Sequence, residues 1–392
     1  MRFLRIAFAA AFVWCALVEV AEQVAGRLFG MEIDGDWYLL VTGSSPSAMG
    51  EFVRLYWCPL AIAAAGFSLL VLLAWALAFQ TSRRRFLLVL ALAAAFVGVR
   101  AGQVGSLKAW KPLYVAFDTV RGMRLYGQIA AAGEWTPERA AQTRAVPSGA
   151  TNYVFVIGES MTSKRISFYG YGRQTTPRLA ALGSRLAKLG PVRVTSPYTV
   201  LALPNLFIRD GVSAPVRFRQ AGYETFFVGS HHRWARYCSV ETSVLSACEH
   251  KVYLSETFPD RHIYDEMLLP FVKEMVSGTK PFVLFVHIMG SHFNPRDRVP
   301  EGFAADEGLD DYDRSIRYSD RVLADIIALL PPRTVLYYIS DHGESTDTDG
   351  WRNMKSEAMW SVPVFAYPAE AVPVQIRSIA DFSALWYNLS QS

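Results

Sequence analysis

Charge, cysteine and histidine are all scarce in this chain. Only 19% of its 392 residues are Asp, Glu, Lys or Arg, while 52% are hydrophobic. That balance is too apolar for a purely soluble enzyme. The net charge is only +4 and no basic tract occurs, so nothing in the composition points to a nucleic-acid partner. The mild basicity suits a phosphate-bearing or anionic lipid substrate as well as it suits simple solubility. With four cysteines, at most one bridge is expected outside the apolar segments. Cys15 and Cys58 fall within apolar stretches, whereas Cys238 and Cys248 lie in a polar one where a disulfide can form. No internal repeat or low-complexity tract is present, which excludes a repeat array.

The apolar excess lies at the front. Trp57 to Phe79 is 23 residues without a charge, enough to span roughly 30 Å of hydrocarbon as a helix. Phe86 to Val99 continues through Ala101 and Val104 past the single Arg100, and Ile6 to Val18 is a third apolar stretch. Three membrane spans are expected. Arg2 and Arg5 precede the first, and Arg83, Arg84 and Arg85 sit between the second and third. Residues 20–55 carry Arg27 and Arg54 against Glu22, Glu32, Asp34, Asp36 and Glu51. Basic residues stay inside, so everything after residue 100 is expected outside, in a bacterium the periplasm. Reading residues 1–25 as a cleaved signal peptide leaves that side unchanged. The expected organisation is a membrane domain over 1–100, an interfacial helix and linker over 101–150, and a globular α/β domain over 151–392. The interfacial helix is signalled by Trp110, Leu113, Tyr114, Phe117 and Val120.

In the globular part, four short β-branched and aromatic runs each stop at residues that bind metal or move protons. Val154 to Ile157 runs into Gly158-Glu159-Ser160, and Thr225 to Val228 into Gly229-Ser230-His231-His232. Phe282 to Val286 runs into His287, with His292 five residues on, and Val335 to Ile339 into Ser340-Asp341-His342-Gly343-Glu344. Continuous apolar runs read as strands buried on both faces, as in a mostly parallel sheet. Ligands bind beyond the carboxyl ends of such strands, so these side chains should converge on one rim. Adjacent Asp341 and His342 can share one metal only where the backbone turns sharply, which Gly343 would permit. Among hydroxyls downstream of Glu159, the residues alone do not distinguish Thr195, Ser196 and Thr199, each of which also reads as a helix-start hydroxyl. His250 and His262 read as surface residues.

Several ordered motifs resemble one family. Val154-Phe-Val-Ile-Gly-Glu-Ser160 followed by Ser167-Phe-Tyr-Gly-Tyr-Gly-Arg-Gln-Thr-Thr-Pro-Arg-Leu179 looks like the opening of the phosphoethanolamine transferases of Gram-negative bacteria, members of the alkaline phosphatase/sulfatase superfamily. His287-Ile-Met-Gly-Ser-His292, Tyr312 to Asp320 and Ser340 to Ser345 continue the resemblance, which covers nearly all of residues 150–368. It implies an α/β/α sulfatase-like periplasmic domain behind transmembrane helices, anchored in the inner membrane and acting as a monomer. It further implies a zinc ion held by Glu159, Thr199, Asp341 and His342, with Thr199 as nucleophile. A phosphothreonine intermediate would carry phosphoethanolamine from phosphatidylethanolamine to a glycolipid or glycan acceptor. His292 would serve catalysis, and His287, His231, His232 and Arg236 would face substrate. Where relatives carry another histidine after the Asp-His pair, this chain reads Trp351 to Glu357 with none, and it has no cysteine near Thr199. Both departures lean away from lipid A towards core sugars or periplasmic glucans. A phosphoglycerol transferase and a non-catalytic envelope module are the alternatives. A sulfatase activity is disfavoured, because Ser196-Pro197-Tyr198 lacks the spacing and the arginine of a sulfatase nucleophile segment.

Overall fold

The computed structural model describes residues 1–29, 50, 53–54, 56–103, 111–147, 149–231, 240–304, 308–345, 354–372 and 376–391. The chain forms two compact units, Met1–Leu125 and Tyr126–Ser392.

In the first unit the helix Arg2–Phe29 packs against the helix Trp57–Trp75, which continues through a π-helical turn, Ala76–Gln80. Among the described residues, Arg2–Arg27 and Trp57–Gln80 are long and apolar enough to cross a membrane. Only 6% of the most apolar stretch of the second is buried inside the protein, so it is not the core helix of a soluble domain. Trp57, Ile62, Leu69 and Leu72 stand exposed on it. The third expected span is helical within Arg83–Gln103, but its side chains from residue 94 on lie outside the described set. Arg5 donates to the carbonyls of Ala78 (2.8 Å) and Thr81 (3.1 Å). It thereby satisfies acceptors that a helix end leaves orphaned. Cys15 and Cys58 are free and exposed. The helix Lys111–Gly133 follows, with Phe117, Val120 and Met123 exposed; Trp110 lies outside the described residues.

The second unit is built on strands β1 (Asn152–Gly158), β2 (Ala187–Lys188), β3 (Val192–Arg193), β4 (Ile208–Arg209), β5 (Val212–Ser213), β6 (Glu224–Gly229), β7 (His250–Tyr253), β8 (Phe282–His287), β9 (Thr334–Ser340), β10 (Ser361–Val362) and β11 (Val364–Tyr367). Seven of them form one sheet in the order β2-β11-β9-β1-β8-β6-β7. β9, β1, β8, β6 and β7 run parallel, while β11 and β2 pair antiparallel at one edge. All four expected runs are strands, and every residue of β8 and β9 is buried. That is why they read as unbroken apolar runs rather than alternating ones.

Each face of the sheet carries its own core. On one, Phe155 stacks between Phe285 and Tyr337 at 5.5 and 5.6 Å, beneath the helices Thr199–Phe207 and Ile379–Leu389. On the other, Val154, Val156, Leu284 and Leu336 meet Ile316, Val322, Leu323 and Ile326 of the helix Asp311–Leu329. That helix is capped by Asp310, whose side chain accepts from the Asp313 amide. Cys248 belongs to the first core as a free, buried thiol, pushed well up by burial. It therefore does not sit in an open polar loop, as the sequence suggested, because the chain turns inward after the short helix Val240–Val244. Its expected partner Cys238 lies outside the described residues.

Candidate metal centre

The register of the central strands sets the site. β1 pairs β9 so that Gly158 faces Ser340, and Ile157 faces both Ile339 and, on β8, His287. The residues immediately following, Glu159 and Asp341-His342, therefore leave the sheet side by side. Ser160 takes a left-handed backbone, φ 57°, so the chain turns sharply as β1 ends. Its amide donates to Asp341 Oδ1 (3.2 Å) and its hydroxyl to Glu159 Oε1 (2.8 Å). Tyr312 holds the turn from the helix side, accepting from the Thr162 amide and donating to the Ser160 carbonyl at 2.7 Å.

Glu159, Asp341 and His342 are all buried, and their ligand atoms lie within 4.8 Å of one another. His342 Nε2 is 3.1 Å from Glu159 Oε1 and 3.6 Å from Asp341 Oδ2. The Thr199 hydroxyl donates to Glu159 Oε2 at 2.9 Å. In a tetrahedral zinc site with bonds of roughly 2.0–2.1 Å, ligand atoms sit roughly 3.3 Å apart, so these spacings fit. The hydrogen bonding fits as well. The Gly343 carbonyl can only accept, so the 2.7 Å contact assigns the proton to His342 Nδ1 and leaves the Nε2 lone pair facing two carboxylates. Asp341 Oδ2 has no hydrogen-bond partner among the described residues. A cation satisfies all of these acceptors at once, and zinc suits their mixed oxygen and nitrogen set.

The electrostatics follow from the crowding. Before a cation binds, burial opposes charge on Glu159, yet His342 in its protonated form, donating from Nε2 as well, holds the Glu159 carboxyl well below the usual range. Asp341 is pushed up to about 6, by burial first and then by Glu159 beside it. With two buried carboxylates so close, only one is readily charged until a cation arrives.

Gly343 serves a different purpose from the one the sequence suggested. Its φ is not positive; instead the Ala358 carbonyl oxygen lies 1.9 Å from where a Cβ would stand. It is a close-approach glycine, not a turn glycine. Gly290 meets both conditions, with φ +54° and Glu159 backbone 2.8 Å from a Cβ position.

Thr199 is the first residue of its helix, distinguishing it from Thr195, which instead accepts from Asn205, and Ser196. His287 is fully buried, with Nδ1 3.0 Å from Glu241 Oε1 and Nε2 3.9 Å from Glu159 Oε2. Burial works against its charge, but the facing Glu241 carboxylate holds it above its ordinary value. His231 stacks on His287 at 4.0 Å and lies 3.9 Å from Glu159 Oε2. Its Nε2 donates to the Ile288 carbonyl at 3.1 Å, and Glu159, His231 and His287 form a second group with ligand atoms within 4.8 Å of one another, close enough to hold a cation. His292 meets His231 edge-on at 6.0 Å, on the same rim. His232 and Arg236 lie outside the described residues. His250 and His262 are exposed, as expected.

Two residues that organise this rim carried no sequence signal. Asp265, buried, accepts from the Ser230 hydroxyl and from the amides of Met289 and Gly290 at 2.6, 2.7 and 2.9 Å. It fixes the loop between His287 and His292. Glu241 fixes His287. An acidic residue in a single helical turn gives no hint from sequence that it faces inward.

Comparison with known proteins agrees with this architecture. Residues 151–385 match the sulfatase family. Phosphoethanolamine transferase EptC of Escherichia coli (strain K12) is 29% identical over 226 residues, which is 49% of this chain and 39% of that protein. The chain thus spans less than half the length of that curated relative. The crystal structure of the C-terminal periplasmic domain of E. coli EptC in complex with zinc is similar with a TM-score of 0.55 at 24% identity, covering 63% of this chain and 86% of that one. The integral membrane lipooligosaccharide phosphoethanolamine transferase A of Neisseria meningitidis gives 0.59 at 17% identity, covering 99% and 81%. These structural likenesses establish the fold. With the family matched over more than half of its length, the chain belongs to the sulfatase family.

Proposed function

We propose that this chain transfers phosphoethanolamine from phosphatidylethanolamine to a hydroxyl or phosphate of an envelope glycolipid or glycan, through a phosphothreonine at Thr199. The observation that carries this reading is the Thr199 hydroxyl, 2.9 Å from Glu159 Oε2 at the edge of the Glu159, Asp341 and His342 cluster. The relative named EptC, whose periplasmic domain was crystallised with zinc, supports the donor group and the metal.

Glu159, Asp341, His342 and the Thr199 oxygen would hold the zinc ion, which when bound supplies the positive charge that makes a threonine hydroxyl a competent nucleophile near neutral pH. Thr199 sits at a helix N-terminus, where the backbone dipole also favours developing negative charge. Its oxygen gives up the hydroxyl proton to solvent and attacks phosphorus; the Thr199 O–P bond forms and the P–O bond to diacylglycerol breaks. His292 gives a proton to the departing diacylglycerol oxygen. The acceptor hydroxyl, yielding its proton to His292, then attacks the phosphothreonine, the O–P bond to Thr199 breaks, and the Thr199 oxygen takes a proton from solvent to regenerate the hydroxyl. His231 and His287 face the phosphoryl oxygens. Three spans with an inside N-terminus hold the catalytic unit at the outer face of the inner membrane, where the donor headgroup is presented, and the chain works as a monomer.

Incubating the full chain in detergent with phosphatidylethanolamine tests the reading. Diacylglycerol should be released, and the peptide containing Thr199 should gain the mass of phosphoethanolamine. Release from phosphatidylglycerol alone, or an unmodified Thr199 during turnover, overturns it.

A further inference from the structure

His287 is placed with unusual care for a residue whose reactive nitrogen makes no hydrogen bond. It is completely buried, its Nδ1–H is taken by Glu241 Oε1 at 3.0 Å, and its Nε2 has no hydrogen-bond partner among the described residues. That nitrogen points at Glu159 Oε2, 3.9 Å away. The same oxygen accepts from the Thr199 hydroxyl. Thr199 and His287 Nε2 therefore approach one edge of the Glu159 carboxylate, while His342 occupies the other oxygen. A phosphoryl group bonded to Thr199 would lie within reach of His287.

We infer that Glu241 is a positioning residue for the transfer reaction, holding His287 with Nε2 turned towards the phosphoryl group on Thr199; the inference rests on the transferase reading above. Three observations support it. Glu241 is itself 7% exposed and sits on the short helix Val240–Val244 after the β6 rim. Its carboxylate reaches the imidazole over Gly229, the register partner of His287, where a Cβ would stand 3.3 Å from Glu241 Oε1 and 2.7 Å from the Phe227 ring. The ring of His231, stacked at 4.0 Å and 23°, sets the plane of the imidazole. A carboxylate on Nδ1 fixes the ring's orientation and tautomer, leaving Nε2 as the working atom.

A buried ion pair can also be merely structural, so the test needs a readout that stability does not move. Diacylglycerol release from phosphatidylethanolamine is measured with the full chain for Glu241→Ala, Glu241→Gln, His287→Ala and the Glu241→Ala/His287→Ala double variant, with zinc content determined for each. Glu241→Ala should lower kcat about 10–100-fold, as loss of such an orienting partner does, with KM for the donor and zinc content unchanged. Glu241→Gln, whose amide oxygen still accepts from Nδ1, should recover most of kcat. The double variant should be no slower than His287→Ala, because the two residues act as one unit. Where Glu241→Ala does not fold, Glu241→Met, of similar length but without the acceptor, takes its place. Wild-type kcat in Glu241→Ala, multiplicative losses in the double variant, or loss of zinc with Glu241 overturns the inference while leaving the transferase reading standing. A wild-type chain that releases no diacylglycerol refutes both.

Discussion

Replacing Thr199 with alanine separates the chemistry from the architecture. Thr199 is half-buried, opens the helix Thr199–Phe207, and donates one hydrogen bond to Glu159 Oε2. Alanine keeps the helix and is the better helix former. The structural loss is that one hydrogen bond, worth about 1 kcal/mol net. Glu159 retains its contacts with Ser160 and His342. For a unit of this size the thermal midpoint should fall by only about 2–4 °C. Transfer should respond on a different scale. Loss of a nucleophile removes the covalent route entirely, so kcat should drop by at least about 10⁴-fold, equivalent to about 5 kcal/mol of barrier. Diacylglycerol release with the purified full chain reads the rate, and a melting curve on the same preparation reads the fold. Thr199→Ser, which keeps an oxygen at the same place, should retain measurable activity. A Thr199→Ala variant that folds, binds zinc and transfers within about tenfold of wild type would refute the assignment of the nucleophile and the phosphothreonine with it.

Three further outcomes follow from the candidate metal centre. The Asp341 carboxyl, pushed up to about 6 by burial and then by Glu159, must lose its proton to accept a metal. Zinc affinity should therefore weaken about tenfold per pH unit as pH falls below about 6, measured by competition with a chelator; a dissociation constant constant between pH 5 and 7 would contradict it. The same shift sets the pH response of the metal-free fold. The folded value exceeds the unfolded one, roughly 3.9, so this contribution to stability is complete below about pH 4 and is lost as pH climbs through about 6. Gly343→Ala places a methyl 1.9 Å from the Ala358 carbonyl oxygen, and that backbone must move. Zinc content and thermal midpoint should both fall, by more than the few tenths of a kcal/mol of a surface change; wild-type values for both would show that the loop yields freely.

The geometry also explains why two buried carboxylates and a histidine are tolerated together. Each is held by groups that leave one face bare: the Ser160 amide on Asp341 Oδ1, the Ser160 hydroxyl on Glu159 Oε1, the Gly343 carbonyl on His342 Nδ1. Buried polar atoms without partners are expensive. Two of the buried atoms without a hydrogen-bond partner among the described residues, Asp341 Oδ2 and His287 Nε2, belong to residues that border the same carboxylate, Glu159.

The amino-acid sequence by itself determined the strands and the rim. Val154 to Ile157 and Val335 to Ile339 are apolar without interruption because both of their faces are covered, and Glu159 and Asp341-His342 follow them directly, so parallel register alone brings these residues together. The apolar helix Trp57–Gln80 was equally plain, since its length and lack of charge are local properties. Loops carry no such periodicity. Cys248 read as a residue of a polar stretch and nothing in the sequence singled out Glu241 or Asp265; only the packed structure turned each one inward. The purpose of Gly343 depended on a carbonyl fifteen residues further on, at Ala358. What a side chain touches across a loop is decided by where other elements leave space, and that information belongs to the tertiary fold rather than to any stretch of the chain.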